Sequence, residues 1–154
     1  MRKLEASDCC FICGRENPAG LKMEFYELEP GVVESKLKVP QEYAGYPGIV
    51  HGGVISAMLD ECSGRAAQTG PNDFMFTSEI KVRFRKNVTT DEPIVVTGKL
   101  VRRRNQVAFA RGEIRNEAGE LLAESDGVFV RIPDEKLKEM GPVTHEWKVY
   151  PDGH

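Results

Sequence analysis

Histidine is scarce in this chain of 154 residues, and so are the signatures of the common catalytic templates. There is no Gly-x-Ser-x-Gly elbow, no phosphate loop ending in Gly-Lys-Ser/Thr and no His-Glu-x-x-His pair, which removes the usual motifs of serine hydrolases, nucleotide hydrolases and zinc proteases. No apolar run approaches the roughly 18 residues of a membrane span. The opening MRKLEASDCC also lacks the apolar stretch of a secretory leader. The expectation is a cytoplasmic protein with no membrane partner. Four cysteines without an export signal point to reduced thiols rather than a disulfide framework. Cys10 and Cys13 have the spacing of half a zinc site, but no second pair follows. Neither a metal nor a cofactor is therefore expected.

What remains is ordinary for one globular domain, with 40% hydrophobic and 29% charged residues. The net charge of −3 is mild but unevenly placed. Residues 81–115 carry ten Lys or Arg against three Asp or Glu. A local basic zone in an acidic chain fits either a small anionic ligand or solvated strand faces. It is too narrow for wrapped nucleic acid.

Three segments are expected: an irregular lead-in over 1–20, a domain over 21–132 and a tail over 133–154 that includes one short helix. Partial alternation on either side of Pro30-Gly31 predicts a strand pair. A loop follows, then a helix from about Gly53 to Gln68, ended by TGPND. Four strands complete the domain, the last two joined at Glu117-Ala118-Gly119. In the first of these four, period-two alternation groups Phe76, Ser78, Ile80, Val82 and Phe84 on one face and Thr77, Glu79, Lys81 and Arg83 on the other. Small residues at Ala108, Ala110, Gly112, Ala123, Ser125 and Gly127 would let a helix lie close to the sheet. The fold class is α+β, an antiparallel sheet wrapped around one long helix.

The helix segment IVHGGVISAMLDECSG holds the chemistry. At 100° per residue, Val54, Ile55, Met58, Leu59, Cys62 and Ala66 form the core stripe, with Cys62 read as a buried hydrophobe. The other face carries Gly53, Ser56, Ala57, Gly64 and Ala67 around one carboxylate, Asp60. Tiny residues there imply that a backbone or a ligand comes close. A half-buried carboxylate can serve as general base or nucleophile, or as a purely structural acid. Two turns upstream, Gly52 and Gly53 present backbone N–H groups at the positive end of the helix, suited to stabilising charge on a carbonyl oxygen.

HGGVISAMLDE resembles the signature of hotdog-fold thioesterases of the PaaI-like type, in which His-Gly-Gly precedes an acid nine residues after the histidine. CFICGRENPAGLKMEF is similar to the opening of one hotdog subgroup, and TSEIKVRFRKNV to the strand after the helix. The resemblance implies an acyl-CoA thioesterase. Asp60 would activate water or attack the thioester carbonyl, the Gly52 N–H would polarise that carbonyl, and His51 would hold the turn. Thr77 matches a supporting Ser or Thr, with Ser78 as its alternative. Tyr46, Gly53 and Glu61 are expected to line the substrate site. Arg85, Lys86, Arg102, Arg103 and Arg104 are candidates for the coenzyme A phosphates. Several relatives carry an Asn six residues before the histidine, where this chain has Gly45. The resemblance further implies a homodimer or homotetramer, with Thr77 and the Tyr46 loop of one subunit completing the site around Asp60 of the other. A non-catalytic acyl-CoA or acyl-carrier binding protein and a dehydratase of the same fold are the alternatives.

Overall fold

A computed structural model describes residues 1–141 and 147–152. The predicted element order holds. Strands β2 (Tyr26–Glu29) and β3 (Val32–Lys38) precede helix α1 (Gly52–Ala67), and β4 (Met75–Phe84), β5 (Pro93–Arg104), β6 (Val107–Asn116) and β7 (Leu121–Arg131) follow it. A short strand β1 (Arg2–Lys3) is additional, and the short helix expected in the tail is α2 (Asp134–Met140). His145 and His154 lie outside the described residues.

All strands pair antiparallel in the order β1-β2-β3-β5-β6-β7-β4. This places β4 at one edge, bonded among the described residues to β7 alone, with its other side open. Two of the three hairpin turns use glycine at positive φ, Gly31 at 80° and Gly119 at 79°, and the turn between β5 and β6 uses Asn105 at 54°, a backbone region that most other residues enter at a cost.

Helix α1 sinks into the curved sheet along the predicted stripe. Ile55, Met58, Leu59, Cys62 and Ala66 are buried, and the small residues Ala108, Ala110, Ala123 and Ser125 are buried beneath them. The closest approach is at Gly98, where a Cβ would lie 2.3 Å from the Cys62 carbonyl oxygen. Cys62 itself is fully buried, its thiol directed at the Val33 and Val96 carbonyls, as a core residue rather than a nucleophile. Burial pushes its thiol further up, out of reach of ionisation.

The lead-in is less irregular than its sequence suggests. Ala6, Ile12 and Cys13 join the core, and β1 extends the sheet. Arg65, on the core side of α1, explains much of this. Its buried guanidinium donates to the Glu5 carbonyl and stacks between the Phe25 and Trp147 rings.

Gly98→Ala is expected to destabilise the protein by about 3 kcal/mol, because the new methyl meets backbone rather than a movable side chain. Gly70→Ala, where nothing stands within 4 Å of the added carbon, is the matched control. Urea denaturation of the pair checks this; equal midpoints would contradict the close approach.

Candidate active site

His51 is the N-cap of α1, and its side chain folds back so that Nδ1 accepts the Gly53 N–H at 2.8 Å. A Cβ at Gly53 would stand 3.1 Å from that nitrogen, so the second glycine makes room for the cap. This corrects the expectation that both glycine N–H groups are open to a ligand. The Gly53 donor is occupied by His51; among the described hydrogen bonds none uses the Gly52 donor. His51 therefore holds the turn, as expected. Gly45 also has a reason: a Cβ there would press on the His51 Cα and ring at 3.3 Å, so a bulkier residue would displace the cap.

The Gly52 end opens on a cavity of about 600 Å³ lined by Tyr46, His51, Phe84, Arg85, Lys86 and Asn87, among others. Asp60 lies on a different cavity, of about 300 Å³, whose walls are largely apolar: Phe74, Met75, Phe76, Phe129, Leu137 and Trp147. Thr77 Oγ1 donates to Asp60 Oδ1 at 2.7 Å. Desolvation raises the Asp60 carboxyl above its ordinary range, the Thr77 bond pulls it down, and Glu61 adds a smaller upward push.

The Thr77 contact corrects two expectations. It forms within one chain, so Thr77 is not what a partner would bring to Asp60. It also breaks the strict alternation of β4. A bulge falls between Thr77 and Glu79, making Ser78 the extra residue. Met75 and Thr77 before the bulge, and Ile80 and Val82 after it, all meet the helix side. Phe76 does not share a face with Ile80. Ser78 is exposed at the bulge, away from the role of Thr77.

The basic candidates divide. Arg85 and Lys86 reach the rim of the cavity beside Gly52, exposed and paired with Glu124 and Glu120. Arg102, Arg103 and Arg104 lie at the end of β5. Arg103 is committed there: it binds Asp73 and Thr69 and donates to the carbonyl of Ala67 at the C-terminus of α1. Against the penalty of burial, the hydrogen bonds from Arg103 and Thr69 hold the Asp73 carboxyl down at about 2. Arg102 stacks on Phe109, 4.3 Å from the ring centroid. Part of the basic zone is thus cross-strand pairing, such as Arg83 with Asp126. The Glu61 carboxylate is engaged by Arg65 rather than free for a substrate, although Glu61 borders the Asp60 cavity. Sequence reasoning missed Arg65 and the apolar ring over Asp60. The position of Arg65, three residues past Cys62, places it beside the buried stripe and was the available signal.

Among the described residues Gly52 and Asp60 line different cavities of one chain. Eight residues of helix separate them by about 12 Å. A carbonyl bound to the Gly52 N–H and attacked directly from Asp60 spans only about 6 Å, or about 9 Å through one water.

The raised Asp60 carboxyl has a consequence for stability. An unfolded Asp titrates near 3.9. From that pH up to the higher folded value, the native protein holds the proton more tightly than the unfolded chain, so stability falls as pH rises through this window. The penalty persists at neutral pH. Asp60→Asn is therefore expected to be more stable than the unaltered chain at pH 7, with the gain gone near pH 3. Urea denaturation at both values checks it; a gain that is absent at pH 7 would contradict a desolvated carboxylate.

Residues 47–123, half of the chain, match the family model of the thioesterase superfamily. Among solved structures, a thioesterase superfamily protein is 29% identical, with a TM-score of 0.73 over 79% of this chain and 62% of that one. This chain thus spans less than two thirds of that protein's length. PaaI of E. coli, from the phenylacetic acid degradation operon, shares the fold at 17% identity, with a TM-score of 0.68 over 73% of this chain and 81% of that one. The protein smu.793 of Streptococcus mutans, solved bound to acetyl-CoA, does so at 17% identity and a TM-score of 0.66, over 71% and 88%. The hotdog fold and the resemblance to hotdog-fold thioesterases are borne out, and this chain belongs to the thioesterase superfamily.

Proposed function

We propose that this protein hydrolyses acyl-CoA thioesters, with Asp60 as general base or nucleophile and the Gly52 N–H as the donor that polarises the thioester carbonyl. The observation that carries the reading is Asp60 itself: a carboxylate kept partly out of water beneath an apolar cavity, with one oxygen fixed by Thr77. Desolvation makes it a stronger base than an exposed aspartate, and the fixed oxygen leaves the other to face the reacting carbon or its water. The apolar walls suit an acyl group. Arg85 and Lys86, at the rim beside Gly52, suit the phosphates of coenzyme A. The Lys86–Glu120 pair is exposed and of little net worth, so a phosphate could displace it, and the buried Glu124 beside Arg85 also has Arg83 and Arg111 within 4 Å. A fold neighbour was solved with acetyl-CoA, which supports the same ligand class here.

The separation of Gly52 from Asp60 leads to a two-chain site. Strand β4 carries both halves: Phe84 lies against Gly52, within 3.5 Å of where its Cβ would be, and Thr77 holds Asp60. If the open edges of two β4 strands paired antiparallel about a two-fold axis, Phe84 of one chain would meet Thr77 of the other. Gly52 would then arrive beside the partner's Asp60. The exposed rings Phe76, at 47%, and Phe84, at 56%, along this open edge support such pairing. On this reading the partner supplies Gly52 and its cavity, including Tyr46, in place of the expected Thr77.

A panel of acyl-CoA esters assayed by thiol release tests the function. The unaltered protein is expected to turn over at least one ester, and Asp60→Asn to lower kcat by on the order of a hundredfold or more while still binding it. Binding without turnover by the unaltered protein across the panel would favour an acyl-CoA carrier instead.

A further inference from the structure

The lead-in brings a second cluster of reactive groups against α1, separate from the Asp60 carboxylate although adjacent in sequence to it. The Sγ atoms of Cys10 and Cys13 and a carboxylate oxygen of Glu61 all lie within 4.8 Å of one another. We propose that these three groups form a binding site for a thiophilic divalent cation of the zinc class.

The Cys10–Gly14 turn is built to hold both sulfurs on one side. The Gly14 N–H donates to the Cys10 carbonyl at 2.8 Å, and a Cβ on Gly14 would lie 2.3 Å from the same oxygen, so only glycine closes this turn. The Ile12 N–H donates to Cys10 Sγ at 3.3 Å. Two further backbone bonds, Leu21 to Phe11 and Met23 to Ile12, fix the turn to the chain entering the domain. The spacing rule for zinc looks for a second cysteine pair and finds none; the third donor comes instead from the helix.

Arg65 completes the surroundings. Its Nη2 donates to Cys13 Sγ at 3.1 Å and its Nε to Glu61 Oε1 at 3.0 Å, while the Glu5 carbonyl and two aromatic rings hold it in place. Donors of this kind orient ligand atoms and stabilise sulfur in its thiolate form. The charges also close. Two thiolates and one carboxylate carry −3, buried Arg65 carries +1, and a divalent cation brings the group to zero. Tetrahedral zinc with bonds of about 2.3 Å needs sulfur atoms about 3.7 Å apart, so the donors must close by no more than about 1 Å. Two thiolates in three donors select zinc over magnesium or calcium, which take oxygen ligands. Cys10 is only partly buried, which leaves an entry path and room for water as fourth ligand. A bound ion would tie the lead-in to the helical turn that carries Asp60.

The test uses the full chain, free of any affinity tag, reduced, loaded with zinc and desalted. Mass spectrometry for metal content is expected to give one zinc per chain, and cobalt in its place a near-ultraviolet thiolate charge-transfer band. Cys10→Ser and Glu61→Gln are each expected to weaken zinc binding at least about tenfold in chelator competition. Cys9→Ser, whose sulfur is not among the three donors, should bind as the unaltered chain does. Zinc far below one equivalent, cobalt without the thiolate band, or Cys10→Ser and Glu61→Gln proteins that bind normally would overturn the proposal. So would a Cys10–Cys13 disulfide that persists under reducing conditions and leaves no metal bound.

Discussion

A carboxylate held half out of water on the flank of a buried helix is the constraint on which the rest of the site depends. Burial disfavours the charged form of Asp60, and the structure offers it a hydroxyl from Thr77 rather than a cation. A neighbouring arginine would have relieved the cost and removed the basicity with it. The one arginine close by on the helix, Arg65, is turned to Glu61 and Cys13 instead. Small residues on α1 and on the strands beneath it let the sheet approach closely enough to cover the helix, and the aromatic side chains around Asp60 keep its cavity apolar.

The helix imposes a second requirement. Its N-terminus offers the Gly52 donor, and its middle offers the acid, but the two are too far apart along one axis to serve a single carbonyl. Strand β4 runs beside both and ends the sheet with an open edge. The two-chain reading turns these observations into one arrangement, in which the dimer axis rather than the helix brings donor and acid together. The bulge at Ser78 matters here, because it turns Thr77 toward Asp60 while leaving Ile80 and Val82 on the core.

Much of this was legible in the sequence. The element order, the helix and its core stripe follow from periodicity, whereas the His-Gly-Gly turn was legible as a helix start but not in the His51 bond that occupies the Gly53 donor. Asp60 stood out because its neighbours on the helix are too small for a solvent face. The errors share a cause: they concern contacts that no local period encodes. A bulge shifts the face of Thr77 without any marker beyond the strand itself. Arg103 looks like its neighbours Arg102 and Arg104 until the fold brings Asp73 to it. The lead-in looks irregular because its packing is to Arg65, some fifty residues away.

The central claim, that catalysis joins Asp60 of one chain to Gly52 of another, is tested most directly by mixing two inactive variants. Gly52→Pro deletes the N–H while placing proline at the first helical position, where its ring is tolerated. Asp60→Asn deletes the acid. Each alone should be inactive. Unfolded together and refolded as a mixture, half of the dimers would pair one of each, and each mixed dimer would hold one intact site. The account predicts recovery of about a quarter of the unaltered activity. A mixture as inactive as its components, in dimers shown to have exchanged subunits, would contradict it.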